Sequence, residues 1–203
     1  MTLFEFDNAY RDRYKLICGV DEAGRGPLAG DVYAAAVIFP EGVEIPEIND
    51  SKKLSPKKRE QLEKTIQEKA LCWAVATASV EEIEKLNILE AAKLAMQRAV
   101  EKLSQRPDVV LIDGNQPPRF EQDYEAIVKG DGKSQAIAAA SVLAKVARDR
   151  YMDEAAKDYP EYEFEKHKGY GTKLHYAKID EFGPCPLHRP SFLKKYYARK
   201  NAE

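Results

Sequence analysis

Apolar and polar positions along this chain alternate first with a period of two, then with a period near 3.6. Residues 14–20 are mostly apolar and predict a strand. Residues 31–39, Asp-Val-Tyr-Ala-Ala-Ala-Val-Ile-Phe, predict a second, and the glycine-rich turn between them predicts a hairpin. Residues 49–54 are a polar loop. Ser55-Pro56 then starts a helix, with Ser as N-cap and Pro in the first turn, and Leu62, Ile66 and Ala70 recur on one face. Residues 71–79 alternate around Trp73, Val75 and Thr77, as a half-buried strand does.

Further on, the two periods interleave. Ser79 and Glu82 form a capping box for a short helix, and a longer helix follows over 88–103. Residues 108–114 are a near-continuous apolar run, the pattern of a strand buried on both faces. A short strand at 125–128 ends in Lys129-Gly130-Asp131, and a long helix covers 134–157. The start of that helix, Ala136 to Ser141, is rich in small residues and can press closely on a sheet. After Pro160, Tyr, Phe, His, Lys and Pro dominate, with short helices expected over 172–181 and 192–200. The expected fold is α/β: a mixed five-stranded sheet flanked by helices, with a small C-terminal helical appendage. The expected division is a catalytic domain over 1–158 and a helical substrate-binding region over 159–203.

Composition narrows the class. Of the 203 residues, 44% are apolar and 33% charged, ordinary for a soluble globular protein. No apolar run reaches the roughly 18 residues of a membrane span, and the N-terminus lacks a secretory pattern. Cys18, Cys72 and Cys185 form no CxxC pair, which argues against a disulfide scaffold or zinc site and for a reducing cytoplasm. A net charge of −2 gives little reason to expect a nucleic-acid partner. Its distribution gives more, with basic clusters at Lys52-Lys53, Lys57-Lys58-Arg59, Lys166-His167-Lys168 and Lys194-Lys195. Each cluster taken singly is as well explained by a solvated helix face.

The chemistry lies in the acids. Asp21 and Glu22 stand where the first apolar strand meets a glycine turn, and burying a lone carboxylate is costly unless it is paired or ligates a cation. The turn, Gly24-Arg25-Gly26, frees backbone N–H groups beside a guanidinium, a combination suited to phosphate. Two more expected strands end in an acid, at Asp113 and Asp131. One such Asp is most often an ordinary turn residue. Three, each ending an apolar run, converge if their strands are neighbours, at the sheet edge where α/β proteins bind ligands. Glu22 faces the opposite way from Asp21 on an ideal strand, so the chain must bend at Gly24 for it to join. All-oxygen ligands favour Mg²⁺ or Mn²⁺ over zinc. His167, His175 and His188 lack metal-ligand spacing, and neither a P-loop nor a Ser-His-Asp signature is present.

The run Asp21-Glu22-Ala23-Gly24-Arg25-Gly26 closely resembles the signature of ribonuclease HII, the type 2 ribonuclease H family in its bacterial form. Later segments agree in order: Asn49-Asp50-Ser51-Lys52, Ile112-Asp113-Gly114, Lys129-Gly130-Asp131, Ala138 to Ser141 with Ala144-Lys145-Val146 and Arg148-Asp149, His167-Lys168-Gly169-Tyr170-Gly171-Thr172, and His188-Arg189-Pro190-Ser191-Phe192. The likeness covers roughly residues 14 to 192. Asp31 departs from it, standing where many members carry a small residue or proline.

The resemblance implies a ribonuclease H-like fold and an endonuclease that cuts the RNA strand of RNA–DNA hybrids and incises beside single ribonucleotides in duplex DNA. It assigns Asp21, Glu22, Asp113 and Asp131 as catalytic acids that bind two divalent ions, Mg²⁺ or Mn²⁺, and leave a 5′-phosphate. Gly24, Arg25 and Gly26 would touch the ribonucleotide's 2′-OH and phosphate. Tyr170 would stack on the sugar of the next, deoxy nucleotide, and Lys52, Thr172 and Arg189 would contact phosphates. The expected partner is nucleic acid rather than membrane, met by a cytoplasmic monomer. Two alternatives stay open: a hybrid-only type 3 ribonuclease H or another two-metal nuclease of this fold, and a nucleic-acid-binding module without catalysis. The intact acids argue against the second.

Overall fold

The computed structural model describes residues 1–200; residues 201–203, the end of the expected C-terminal region, lie outside it. In chain order the elements are α1 (Leu3–Asn8), β1 (Ile17–Ala23), β2 (Val32–Ile38), α2 (Pro56–Lys69), β3 (Cys72–Ala78), α3 (Val80–Leu86), α4 (Ile88–Glu101), β4 (Val109–Asp113), β5 (Asp123–Ile127), α5 (Gln135–Asp158), α6 (Phe164–His167), α7 (Lys173–Phe182) and α8 (Pro190–Lys200). The five strands form one sheet in the order β3-β2-β1-β4-β5. β2 is antiparallel to β1 and β3, whereas β1, β4 and β5 run parallel. The mixed sheet expected from the sequence is present.

Local chemistry sets the element ends. The Ser55 side chain accepts the Lys58 amide ahead of Pro56, and Ser79 and Glu82 close the expected capping box of α3. A second capping box, Thr2 with Glu5, starts α1, a helix the sequence reading did not include. β1 begins and ends about three residues later than expected. The amides of Lys15 and Leu16 bind the Asp108 carboxylate and so leave the ladder, while Ala23 still pairs with Tyr33. Asp21 and Glu22 are therefore inside the strand and not beyond its end. β5, by contrast, starts earlier than expected, because Asp123 pairs with Val109.

Helices cover both faces of the sheet. On one, Ala91, Ala95, Met96 and Ala99 of α4 pack on Cys18, Val20, Ala34, Ala36, Val110 and Ile112. On the other, Ala136, Ala139, Ala140 and Leu143 of α5 join Leu62 and Ile66 of α2 against Ala35 and Val37. Each fully buried Ile or Leu contributes roughly 1.5–3 kcal/mol. The small residues at the start of α5 matter for distance more than for area. A Cβ on Gly19 would stand 2.0 Å from the Ala136 carbonyl carbon, so only glycine in β1 lets α5 approach this closely. α5 thereby brings its own side chains to the end of β1 where the acids lie.

Candidate active site

The parallel pairing of β1 and β4 explains the meeting of the acids. Val20 is in register with Ile112, so Asp21 and Asp113 follow at the same sheet edge. Asp131 arrives in the 3-10 turn Gly130–Gly132, after Lys129 takes a left-handed conformation with φ 57°. The Gly130 amide donates to Asp113 Oδ1 at 2.6 Å and the Asp131 amide to the same oxygen at 3.3 Å. Carboxylate oxygens of Asp21, Asp113 and Asp131 all lie within 4.8 Å of one another, a spacing at which they can hold a metal ion. Glu22 is outside this trio. It alternates to the other side of β1, its carboxylate pairs with Arg25 at 3.2 Å, and with Asp113 it lines an adjoining cavity of about 120 Å³.

Crowding shows in the titration of the group. Burial first, then the charges of Glu22, Asp113 and Asp131, hold the Asp21 carboxyl well above the usual carboxylate range. Asp131 is raised too, by burial and by Asp113 and Asp50. A cation relieves this repulsion, so the donor set fits one. Lys52 gives partial relief. Its ammonium stands 3.9 Å from Asp131, and although desolvation lowers its pKa, the fields of Asp21 and Asp131 raise it by more. Its loop is fixed by the 2.7 Å Ser51–Ser141 hydroxyl contact and by Arg59, which donates to the Ser51 carbonyl.

The glycine turn rests on two buried arginines. Arg189 was expected to touch a phosphate, and the structure corrects this. It is fully buried, and its guanidinium donates to the carbonyls of Gly24, Arg25, Pro27 and Gly30 at 2.6–3.1 Å. With the carbonyls drawn inward, the turn presents its outer edge to solvent at Arg25 and Gly26, both exposed. Arg148 of α5, also fully buried, lies under the same turn. Gly24 has φ 95°, and a Cβ there would sit 2.1 Å from Arg148 Nε, so conformation and space both require glycine. The sequence reading gave Arg148 no role. The signal was its place on the stripe Ala140, Ala144, Arg148, Met152, four residues apart along a small-residue helix and all buried.

Tyr170 is 41% exposed beside this turn, with its Cε1 3.9 Å from the position a Gly26 Cβ would take. Its backbone is held at both ends. Its amide donates to the His167 carbonyl, and its carbonyl accepts from the Thr172 amide and from His175 Nδ1 at 2.9 Å. The histidines were expected only to offer no metal site; here all three are buried and packed together. The Cys185 amide donates to His188 Nδ1, which leaves His188 Nε2 to donate to His175 Nε2 at 3.0 Å and His175 Nδ1 to donate to Tyr170. Burial lowers both rings to about 4, consistent with neutral imidazoles. Thr172 is the exposed N-cap of α7, its hydroxyl accepting the His175 amide.

The remaining charges sort themselves. Of the Lys166-His167-Lys168 cluster, Lys166 pairs with Glu163, Lys168 with Asp153, and His167 is buried. Arg59 is buried as well, and Lys58 pairs with Glu47. Lys57 is the exposed member of its cluster. Asp31, the departure from the family pattern, is outside the metal-capable trio: its carboxylate accepts the Val80 amide at 3.0 Å and caps α3. Among the described residues no helix is long and apolar enough to cross a membrane.

This geometry can be set beside known proteins. The family model for ribonuclease HII matches residues 18–198. A ribonuclease HII of Idiomarina loihiensis is 56% identical over 177 residues, covering 87% of this chain and 95% of that one. One of Caldicellulosiruptor saccharolyticus is 51% identical over 188 residues, covering 93% and 92%. The crystal structure of the ribonuclease H2 of Pyrococcus horikoshii superposes with a TM-score of 0.75 at 25% identity, over 93% of this chain and all of that one. The ribonuclease H-like fold is thereby shown. With the match spanning nearly the whole sequence and relatives more than half identical, this chain belongs to the ribonuclease HII family and is a ribonuclease H enzyme.

Proposed function

We propose that this chain is an endonuclease that cuts the RNA strand of RNA–DNA hybrids and also incises duplex DNA on the 5′ side of a single embedded ribonucleotide. The observation that carries this reading is a juxtaposition. Three carboxylates suited to a cation adjoin an exposed glycine turn, and an exposed tyrosine ring flanks that turn. The family membership supplies the reaction class.

In this reading Asp21, Asp113 and Asp131 would hold the cations, and Glu22 would reach them from the adjoining cavity that it lines with Asp113. Divalent ions bound there, Mg²⁺ or Mn²⁺, would supply activation of the attacking water and charge for the leaving 3′ oxygen, and the products would carry 3′-OH and 5′-phosphate ends. The protein's own task is placement. Asp113 fixes the turn that carries Asp131. The backbone of the Gly24-Arg25-Gly26 turn, with the Arg25 side chain, receives the 2′-OH and its phosphate, and the 2′-OH is what distinguishes RNA from DNA at one position. Arg25 must then leave Glu22, a pair exposed on the arginine side and half-buried at the carboxylate. Tyr170 stacks on the following deoxyribose, and Lys52 and Thr172 face the phosphates. Residues 159–203 are a substrate-reading region that supplies Tyr170 and Thr172, and the protein acts as a monomer.

The type 3, hybrid-only alternative is disfavoured by the Gly24-Arg25-Gly26 turn and by relatives of type 2. Incubating the protein with a labelled hybrid and with a labelled duplex bearing one ribonucleotide, in Mg²⁺, Mn²⁺ or EDTA, tests the reading. Cleavage of both with either ion and neither in EDTA is expected. Hybrid cleavage alone would favour the type 3 activity, and cleavage of neither substrate would leave a binding module.

A further inference from the structure

We infer that Arg148 is a positioning residue that sets the spacing between the ribose-reading turn and the loop that presents Tyr170, and so sets discrimination for an RNA-to-DNA junction. The inference rests on the reading above.

The two reading elements come from distant parts of the chain, and Arg148 touches both. Its Nε donates to the Asp31 carbonyl at 3.2 Å and its Nη2 to the Ala29 carbonyl at 3.0 Å, both in the segment that continues the glycine turn. Its Nη1 donates to the Lys168 carbonyl at 3.0 Å, two residues before Tyr170. The guanidinium also packs against Gly24 and lies 5.7 Å from the centre of the Tyr170 ring. Otherwise the segments share the hydrogen bond from the Leu28 amide to the Gly169 carbonyl at 2.8 Å. That bond and the close approach of Gly169 to the Ala29 carbonyl join the two backbones directly, and Arg148 is the side chain that ties both to α5. The guanidinium is planar, with donors at fixed angles, so its three bonds hold both loops to one rigid body on α5.

A fully buried cation is costly when its bonds go to carbonyls and not to a carboxylate. An apolar side chain would fill the space at lower cost, as Met152 does one turn on. What the arginine adds is the fork. Arg189 makes a useful contrast: its side-chain bonds all go to residues 24–30, so it shapes the turn without reaching the Tyr170 loop.

Arg148→Lys keeps the charge and loses the fork. The quantity to read is the ratio of kcat/KM on a duplex with one ribonucleotide to kcat/KM on an all-RNA hybrid, which has no junction. Both activities fall, and the ratio falls about tenfold, because small misplacements of a positioned group cost rate steeply. In a Tyr170→Ala background the same substitution changes the ratio by less than about twofold, since the shared function is already gone. Equal losses on the two substrates, or a full further fall in the Tyr170→Ala background, would overturn the inference. If Arg148→Lys does not fold by circular dichroism, the wild-type protein decides. The Arg148 Nε–H resonance, titrated in EDTA, should shift with the single-ribonucleotide duplex and not with the all-DNA duplex. No shift, or the same shift with both, refutes the proposal.

Discussion

Asp113 accepts the Gly130 amide at 2.6 Å, so the acid that ends β4 also holds the turn that delivers Asp131. The same carboxylate is one of the three whose oxygens stand within 4.8 Å of one another, so Asp113 serves both the turn and the acidic cluster.

That division separates charge from shape. Asp113→Asn retains an oxygen that accepts the Gly130 and Asp131 amides, so the fold should persist while the charge is lost. Cleavage should fall to background on hybrid and single-ribonucleotide substrates alike. In EDTA the melting temperature should rise slightly, because Asp21 loses a repelling neighbour. Activity assays with calorimetry in EDTA check both parts, and near-normal cleavage would remove Asp113 from the catalytic set.

A second prediction separates Lys52 from Arg189. Lys52 is 80% exposed and faces the acids, whereas Arg189 is enclosed by carbonyls. If Lys52 neutralises one phosphate, Lys52→Ala should lower the slope of log affinity against log salt by roughly 0.9. Titrations of a non-cleavable duplex at several salt concentrations measure this. An unchanged slope would return Lys52 to a purely local role beside Asp131.

The third concerns pH and a residue outside the site. Asp7 of α1 accepts the Ala136 amide at the start of α5, its second oxygen has no partner, and burial pushes its carboxyl up to about 6. The sign follows from linkage: the folded state keeps the proton over a range where the unfolded chain has lost it. This group's contribution therefore turns against folding as pH rises from about 4 to about 6, and its penalty is full above that. Asp7→Asn should gain stability relative to the wild type as pH rises from about 4 to about 6, and the difference should level off above that, by chemical denaturation. A difference between the two proteins that stays flat with pH would contradict the assignment.

The fourth concerns Tyr170. Stacking uses the ring and not the hydroxyl, so Tyr170→Phe should retain much of the activity on a duplex with one ribonucleotide. Tyr170→Ala should lose about tenfold or more, given about 1–3 kcal/mol for a stacked base and no more for a sugar. The all-RNA hybrid should lose less. Equal losses on both substrates would make Tyr170 an ordinary packing residue.

Much of this was legible in the sequence, for identifiable reasons. The apolar runs before Asp21 and Asp113 mark strands because few other elements bury both faces, and the glycine at position 24 is required by φ and by space alike. β1 starts later than expected because Asp108, 93 and 92 residues away, takes the amides of Lys15 and Leu16, and ends later because Ala23 still pairs with Tyr33. Arg189 was misassigned because a positive residue beside an expected phosphate site looks the same in sequence whether it faces the ligand or holds the loop from behind. For Arg148 the sequence marks only burial, through the stripe Ala140, Ala144, Arg148, Met152, and not the carbonyls it binds, which lie far away in the chain. Glu22 stands apart from the other acids because strand alternation prevails at that position.

The most direct test of the account is the position of the cut in a duplex with a single ribonucleotide flanked by DNA on both sides, labelled at each end and incubated with Mg²⁺. The account predicts one incision, immediately 5′ of the ribonucleotide, leaving a 3′-OH that a DNA polymerase extends and a 5′-phosphate on the ribonucleotide. An intact duplex, under conditions where the same protein cuts an all-RNA hybrid, would contradict it.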